Sequence, residues 1–375
     1  MTARDPDPTR LSAEIERLVG PLDDQRWKLL GKAAAELHAR FVSDLPPETP
    51  RSPYLSDRTT LAAYLAYFFP ASKAQVVRAL AEVEPPAAPS ARVLDVGAGP
   101  GPAAQAAAEW LAAHGKSVET VALEASPLAL ESMAKLWPKE LGAVSPKAWR
   151  AGQALPAGPF DVVVAAHVLN ELFQEESARL DRRATFAVEL SKRLAPGGLL
   201  VLVEPALKRT GRELLVMRDR LIQQASMYAL APCLTQLPCP AIAKPRDWCH
   251  ADRPWEAPPL AVRAAEEAGL ARESLKFAYV VLTNAPMERV KDAALFRIVS
   301  EPLPEKGKLR YFGCGPLGRH PLVRLDRETS EPNAAFSTLE RGDIARLDPT
   351  VPGADGKRVG AASVVTVVRS AKERD

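Results

Sequence analysis

The segment Val93-Leu94-Asp95-Val96-Gly97-Ala98-Gly99-Pro100-Gly101 decides the fold of this chain. It begins as an apolar run, as buried strands do, and continues into a loop with a glycine at every second position. Glycine lets a backbone take angles closed to other residues and approach a ligand closely, and a helix that follows such a loop presents free N–H groups to it. The segment therefore predicts a strand, a ligand-binding loop and a helix at the start of an α/β unit.

Apolar runs typical of strands alternate with helical patterns along the next hundred residues. The predicted elements are a strand at 92–96, a helix at 102–114, a strand at 118–123, a helix at 127–137, a strand at 161–165, a helix at 182–194 and a strand at 199–203. The runs 162–164 and 199–203 are apolar on both faces, as in buried parallel strands. This alternation predicts a parallel, doubly wound sheet with crossover helices, which we expect Phe277 to Thr283 to close.

The glycine spacing distinguishes between two kinds of cofactor. Nicotinamide-binding folds use G-x-G-x-x-G, whereas this loop reads G-x-G-x-G with Asp95 two residues before its first glycine. The loop resembles the first motif of class I methyltransferases, which implies that Asp95, Gly97, Ala98, Gly99 and Gly101 surround S-adenosylmethionine. Glu124 ends the next strand, where that family places a carboxylate that binds the ribose hydroxyls, and a carboxylate can accept hydrogen bonds from both. The alternative is that the loop only packs the helix on the strand.

A polar turn follows the strand at 161–165. It contains His167 and Asn170 and lies at the carboxyl edge of the sheet, where ligands of such folds bind. These two side chains are candidates to face the methyl donor or the acceptor, and the alternative is that they only stabilise the turn. The turn has no Asn-Pro-Pro-Tyr-like stretch and no cysteine placed to attack a pyrimidine, so the sequence identifies no catalytic residue.

The four cysteines form the second candidate site. Cys233, Cys239 and Cys249 lie in one proline-rich loop, and 64 residues separate Cys249 from Cys314. Four thiolates complete either a tetrahedral zinc site or an iron–sulfur cluster. The lack of a C-x-x-C pair argues against a zinc ribbon, and the neighbouring prolines favour a cluster; free core cysteines are the third possibility. If a metal is bound, it ties the C-terminal part of the chain to the loop, and His250 is a less favoured alternative ligand.

The pattern divides the chain into three units. Residues 1–85 show helical spacing, and the proline-rich stretch Glu84 to Pro89 cannot continue a helix. Residues 86–290 form the α/β unit, with a cysteine-bearing insertion at about 230–255. Residues 291–375 change to short runs punctuated by glycine and proline, which predicts a small β-rich extension that supplies Cys314.

These features together resemble the bacterial and mitochondrial Rsm22-like family of methyltransferase-like proteins of the small ribosomal subunit. The matching segments are 64–70, 94–101, 167–172, 197–205, 231–233, 238–240 and 247–250. The resemblance implies S-adenosylmethionine binding, a 4Fe–4S cluster on Cys233, Cys239, Cys249 and Cys314, and a role on the small ribosomal subunit and its 16S-type rRNA. It leaves open whether the chain transfers a methyl group.

Charge and composition limit the partners. The chain has 375 residues and a net charge of +3, so RNA contacts must come from local patches. Lys208, Arg209 and Arg212 follow the strand at 199–203, beside the expected cofactor pocket, and are the candidate rRNA contacts. With no signal segment and no apolar run long enough to span a bilayer, we expect a cytoplasmic, ribosome-associated monomer with no membrane partner. The alternatives are a non-catalytic assembly factor that binds RNA, and a small-molecule methyltransferase with a structural zinc.

Overall fold

The computed structural model describes residues 7–42, 54–174 and 177–371. Within these ranges the α-helices are α1 (Pro8–Val19), α2 (Asp24–Val42), α3 (Arg58–Ala63), α4 (Phe69–Leu80), α5 (Pro102–Ala113), α6 (Pro127–Leu136), α7 (Arg179–Ser191), α8 (Lys208–Gln224) and α9 (Pro259–Ala268). A π-helical turn, Tyr64–Phe68, joins α3 to α4, and a 3-10 turn, Tyr54–Ser56, precedes α3.

The strands of the same ranges form two sheets. They are β1 (Ser90–Val96), β2 (Ser117–Glu124), β3 (Ala143–Ala148), β4 (Phe160–Ala166), β5 (Leu194–Pro205), β6 (Tyr228–Ala231), β7 (Ala251–Pro254), β8 (Ser274–Thr283), β9 (Leu295–Ile298), β10 (Leu303–Glu305), β11 (Lys308–Gly315), β12 (Gly318–Leu325), β13 (Ile344–Gly353) and β14 (Gly356–Arg369).

The first sheet has the order β3-β2-β1-β4-β5-β8-β6, and β7 also pairs with β8. The pairs from β3 to β5 are parallel, while β8 runs antiparallel to β5. The predicted doubly wound α/β core is confirmed. The expectation that 277–283 closes the sheet was wrong. These residues belong to β8, and β6 and β7 pair with opposite ends of β8 and extend the sheet beyond it.

The N-terminal helices pack on one end of this core. Their apolar side chains form a common cluster with residues of α6 and α9, including Ala129, Leu136 and Ala264. Helices α1 to α3 therefore lie beside the carboxyl ends of the parallel strands, over the candidate site, while α4 packs on the face of the sheet with α5.

The second sheet closes on itself as a barrel. β9 pairs with β11, β11 with β12, β12 with β14, β14 with β13, and β13 again with β9. Only the β12–β14 pair is parallel, and a 3-10 helix, Glu331–Thr338, lies between β12 and β13. This order is that of an OB-fold barrel, which gives the predicted β-rich extension a definite topology.

Candidate cofactor, acceptor and cysteine sites

The glycine loop follows β1 in a conformation that needs glycine. Gly97, Gly99 and Gly101 have φ values of 73°, 53° and 96°, in the left-handed region that other residues rarely adopt. A Cβ atom at Gly97 would lie 2.2 Å from Val168 Cγ2. The backbone N–H groups of Gly97 and Ala98 both donate to the Leu123 carbonyl at 2.9 Å, which ties the loop to the end of β2.

Glu124 lies directly beside this loop. Its Oε2 accepts a hydrogen bond from the Gly99 N–H at 3.0 Å, and its Oε1 accepts one from the Ser126 N–H at 2.8 Å. These two bonds hold the carboxylate in place but leave lone pairs, because an ionised carboxylate has about four acceptor positions. The half-buried carboxylate is thus suited to accept bonds from vicinal hydroxyls.

Asp95 is the buried acidic residue of the loop. It is 1% exposed, and neither of its oxygens has a hydrogen bond of regular geometry among the described residues. Burial raises the pKa of Asp95 to about 7, the Glu124 carboxylate adds to the rise, and the backbone N–H of Ala104 opposes it. Burying a carboxylate with so little hydrogen bonding is costly, so a cationic ligand would stabilise it.

These observations fit S-adenosylmethionine, which carries positively charged groups and a ribose diol. Glu124 would hold the diol, Asp95 would lie near positive charge, and the glycine loop would take the close backbone approach. The bound molecule would supply an electrophilic methyl group.

The 3-10 turn Tyr54–Ser56 covers the loop from the N-terminal side. The Ser126 hydroxyl donates to the Leu55 carbonyl at 2.9 Å, and a Cβ atom at Gly99 would lie 3.4 Å from Leu55 Cδ1. The Tyr54 hydroxyl donates to Glu171 Oε1 at 3.2 Å. This turn therefore connects the glycine loop with the polar turn after β4.

His167 and Asn170 lie at the end of β4 and line one cavity of about 500 Å³. His167 has a φ of 58°, and its N–H donates to the Val203 carbonyl at 2.7 Å, which turns the chain at the carboxyl end of the sheet. The His167 ring bonds Gln75 Oε1 through Nε2 at 2.7 Å, and burial lowers its pKa to about 4. Since an amide oxygen only accepts, Nε2 carries the proton and the ring is neutral.

A second buried carboxyl group, Glu204, supports this turn from β5. Its Oε1 accepts from the Asn170 N–H at 3.3 Å, while Oε2 is buried without a hydrogen-bond partner among the described residues. Burial raises the pKa of Glu204 to about 8. Glu204 therefore positions Asn170 at the cavity wall.

All four cysteines line a second cavity, of about 60 Å³, between the core sheet and the barrel. Cys233, Cys239 and Cys249 come from the loop between β6 and β7, and Cys314 lies on β11. His250 lines the same cavity and its ring stacks on Trp248, with ring centroids 4.1 Å apart. The four thiols therefore line one cavity, and that they share one metal stays a prediction.

The thiols are surrounded by cations. Arginines line the cavity from β7, β9, β12 and the segment before β13; they are Arg253, Arg297, Arg319 and Arg341. Burial raises the pKa of Cys239 to about 12 and of Cys249 to about 11, and nearby arginines oppose both shifts. With the side chains as they stand, no three His, Cys, Asp or Glu residues of the described ranges are arranged to hold a metal ion.

Helix α8 holds the cysteine loop, which the sequence did not reveal. Arg212 donates to the carbonyls of Ala241, Ile242, Lys244 and Asp247 at 2.6–3.0 Å. Arg218 bonds the carbonyls of Thr235 and Leu237, and Asp219 accepts from the Cys239 N–H at 2.8 Å. Arg212 was expected to contact rRNA, but its guanidinium is engaged inside the protein because the loop carbonyls need donors.

The other two candidate rRNA contacts lie at the start of α8. Lys208 is exposed, and Arg209 is half-buried with its guanidinium 3.9 Å from Glu213. Nothing in the sequence signalled the roles of Arg212 and Arg218, because they are six positions apart, about 120° around the helix axis, and so share no helix face.

The strand order, the glycine loop with its acidic partner on β2, and the cavity after β4 define a class I methyltransferase fold. Residues 58–320, more than two thirds of the chain, match the family described as "Mitochondrial small ribosomal subunit Rsm22". The chain belongs to this family, as its sequence motifs predicted. The matched region contains the glycine loop and all four cysteines.

Solved methyltransferase structures resemble the chain in fold. A methyltransferase from Pyrococcus furiosus is 13% identical, covers 52% of this chain and 76% of its own, and has a TM-score of 0.33. An S-adenosylmethionine-dependent methyltransferase from Mesorhizobium loti is 20% identical over 36% of this chain and 53% of its own, with a TM-score of 0.27.

A precorrin-6y C5,15-methyltransferase from Geobacter metallireducens is 12% identical over 66% of this chain and 100% of its own, with a TM-score of 0.35. Identities and TM-scores this low say nothing about substrate. No curated protein sequence matches the chain. No helix of the described residues is long and apolar enough to cross a membrane.

Proposed function

We propose that this protein is an S-adenosylmethionine-dependent methyltransferase that acts on rRNA of the small ribosomal subunit. The observation that carries the proposal is the adjacency of two sites in a chain of the Rsm22 family. The glycine loop and Glu124 follow β1 and β2, and a large cavity opens after β4, the neighbour of β1 in the sheet. A methyl donor at the first site would lie beside an acceptor in the second.

The residues act by binding and orientation. Glu124, already fixed by two backbone N–H groups, would hold the ribose of the donor, and the Tyr54–Ser56 turn would exclude water from the loop. Asn170, supported by Glu204, and neutral His167 would contact the acceptor. Gly97, Ala98, Gly99, Gly101 and Asp95 complete the donor site in this proposal.

We further propose that Cys233, Cys239, Cys249 and Cys314 hold a 4Fe–4S cluster. A water molecule needs roughly 10–15 Å³ of such space, so a cavity of about 60 Å³ has room for several atoms. Three arginines that line the cavity oppose the rise in the pKa of the Cys249 thiol and so favour its ionised form, although each is also paired with a carboxylate. Zinc is the alternative occupant.

Anaerobic purification with an absorbance spectrum and metal analysis tests the cluster. A brown protein with absorption near about 400 nm and about four irons per chain supports it. One zinc per colourless chain contradicts it.

The ribosomal role is tested by co-sedimentation with small subunits, and catalysis by a deletion strain. Loss of a methyl mark from small-subunit rRNA on deletion, restored by the wild-type gene but not by a Gly99→Asp gene, supports methyl transfer. No change in rRNA methylation would refute it. The cytoplasmic location and monomeric state stay predictions.

A non-catalytic assembly factor is the second candidate function. It is favoured by the turn after β4, in which His167-Val168-Leu169-Asn170 replaces any Asn-Pro-Pro-Tyr-like stretch. Such a factor would co-sediment with the small subunit, bind the cofactor and leave rRNA methylation unchanged on deletion.

A further inference from the structure

The cavity after β4 and β5 has a wall of four aromatic rings. Phe41 packs edge-on against Tyr54 and Phe68, with ring centroids 5.3 and 5.1 Å apart, and Tyr64 stacks on Phe68 at 5.7 Å. All four rings line the cavity of about 500 Å³. Aromatic faces of this kind stack on nucleobases with little preference for base identity.

Hydrogen-bond acceptors lie beside the aromatic wall. Asn170 Oδ1 is buried and has no partner among the described residues, and the neighbouring Glu171 Oε1 accepts a 3.2 Å bond from Tyr54. Acceptors beside an aromatic wall suit a flat ring with N–H groups at its edge. An aliphatic amino-acid side chain would leave the rings without a stacking partner.

The cavity also meets the donor site and the surface. The Tyr54–Ser56 turn joins it to the donor site, because Tyr54 lines the cavity and a Cβ atom at Gly99 would lie 3.4 Å from Leu55 Cδ1. At the other side Leu207 lines the cavity, and exposed Lys208 follows it at the start of α8. A base in the cavity would thus lie near the donor, with its phosphate toward a lysine and a helix N-terminus.

We infer that this cavity is the acceptor pocket and takes an unpaired nucleobase of RNA, turned out of its stack and held against the aromatic wall and the neighbouring Asn170 and Glu171. The inference rests on the proposed function and names its substrate class. Phe41, Tyr64 and Phe68 stack on the base, and Asn170 and Glu171 bind its edge.

The test uses a short single-stranded RNA with one 2-aminopurine, whose fluorescence falls when the base stacks. We expect full-length wild-type protein, purified anaerobically, to quench this fluorescence on binding. Phe41→Leu should weaken binding of this RNA, measured by the quenching, about thirtyfold, the middle of the range for loss of one stacking ring. Phe312→Leu, which changes a half-buried ring on the barrel surface, is the matched control and should behave as wild type.

Phe68→Leu is the second variant and should act in the same direction as Phe41→Leu. Calorimetric binding of S-adenosylmethionine reports whether each variant is folded, and co-sedimentation tests the proposed function separately. Two results would overturn the inference and leave the proposed function standing, provided that the wild-type protein binds cofactor and small subunits. One is no quenching by the wild-type protein, and the other is equal quenching by all variants. Wild-type protein that neither binds cofactor nor co-sediments overturns the proposed function, and the inference with it.

Discussion

The Glu82 carboxylate and the Arg297 guanidinium form a buried ion pair with an Nη2–Oε2 distance of 2.7 Å. Glu82 follows α4, whereas Arg297 lies on β9 of the barrel and also lines the cysteine cavity. Arg253 on β7 contacts the same carboxylate at 3.3 Å. One carboxylate thus joins the N-terminal helices, the core sheet and the barrel.

Glu82→Gln should destabilise this junction. It leaves two buried arginines without a counter-charge, and breaking a buried pair typically costs about 3–5 kcal/mol. We expect a urea titration followed by circular dichroism to show a lower midpoint. Glu84→Gln, two residues further on and exposed, is the control; equal midpoints for both variants would contradict the role of Glu82.

Gly99→Asp should abolish S-adenosylmethionine binding. The new side chain would place a charge in the loop at a φ of 53° and within 3.4 Å of Leu55. Isothermal titration calorimetry measures the effect. Gly115→Asp is the control, because Gly115 also has a positive φ but open space around it. Unchanged binding by the Gly99 variant would refute the assignment of the loop.

S-adenosylmethionine binding should strengthen as pH rises toward 7. The pKa of Asp95 is raised from 3.8 to about 7, so below that pH the group is mostly protonated, and a cation that favours its ionised form must displace the proton. In the free protein, pH affects stability in the opposite direction. The contribution of Asp95 to folding stability is fully present below about pH 4 and is lost as pH rises through 7.

Calorimetry between about pH 5.5 and 8 checks this prediction. The dissociation constant should fall by at most tenfold for each pH unit. Asp95→Asn should remove the dependence. A wild-type dissociation constant that stays level across the range would exclude Asp95 from the donor site.

Cys249→Ser should loosen the barrel from the cysteine loop. If the thiols share a metal, loss of one ligand weakens the link between this loop and Cys314 on β11. Limited proteolysis should then cut the variant faster than wild type. Thr235→Ser changes a buried residue of the same loop without removing a thiol, and equal resistance of all three proteins would contradict a metal staple.

Arg212 and Lys208 should have separable effects. Arg212→Lys removes the planar fork that bonds four loop carbonyls, and we expect fewer irons per chain. Lys208→Ala should leave the iron content unchanged, weaken binding to small subunits and reduce its salt slope by about 1. Equal iron in the Arg212 variant and wild type would show that the loop forms without this clamp.

Sequence reasoning succeeded where local pattern decides structure. The strand at β1, the glycine loop and the helix α5 are encoded within about twenty residues, because glycine conformations and apolar periodicity are local properties. Strand β3 was not predicted, because Ala143–Ala148 is a largely exposed edge strand that contains Pro146. Such strands lack the apolar pattern that indicates a buried strand.

The sequence by itself determined the class of fold, the glycine loop with Glu124, and the set of four thiols. Only the tertiary structure decided that Cys314 lines the same cavity as the cysteine loop, that Arg212 serves that loop instead of the surface, and that Tyr54 bonds Glu171 at the cavity after β4. The physical reason is that the bonds of Arg212 and Tyr54 join residues 29 and 117 positions apart, and their partners are chosen by packing of whole elements rather than by local periodicity.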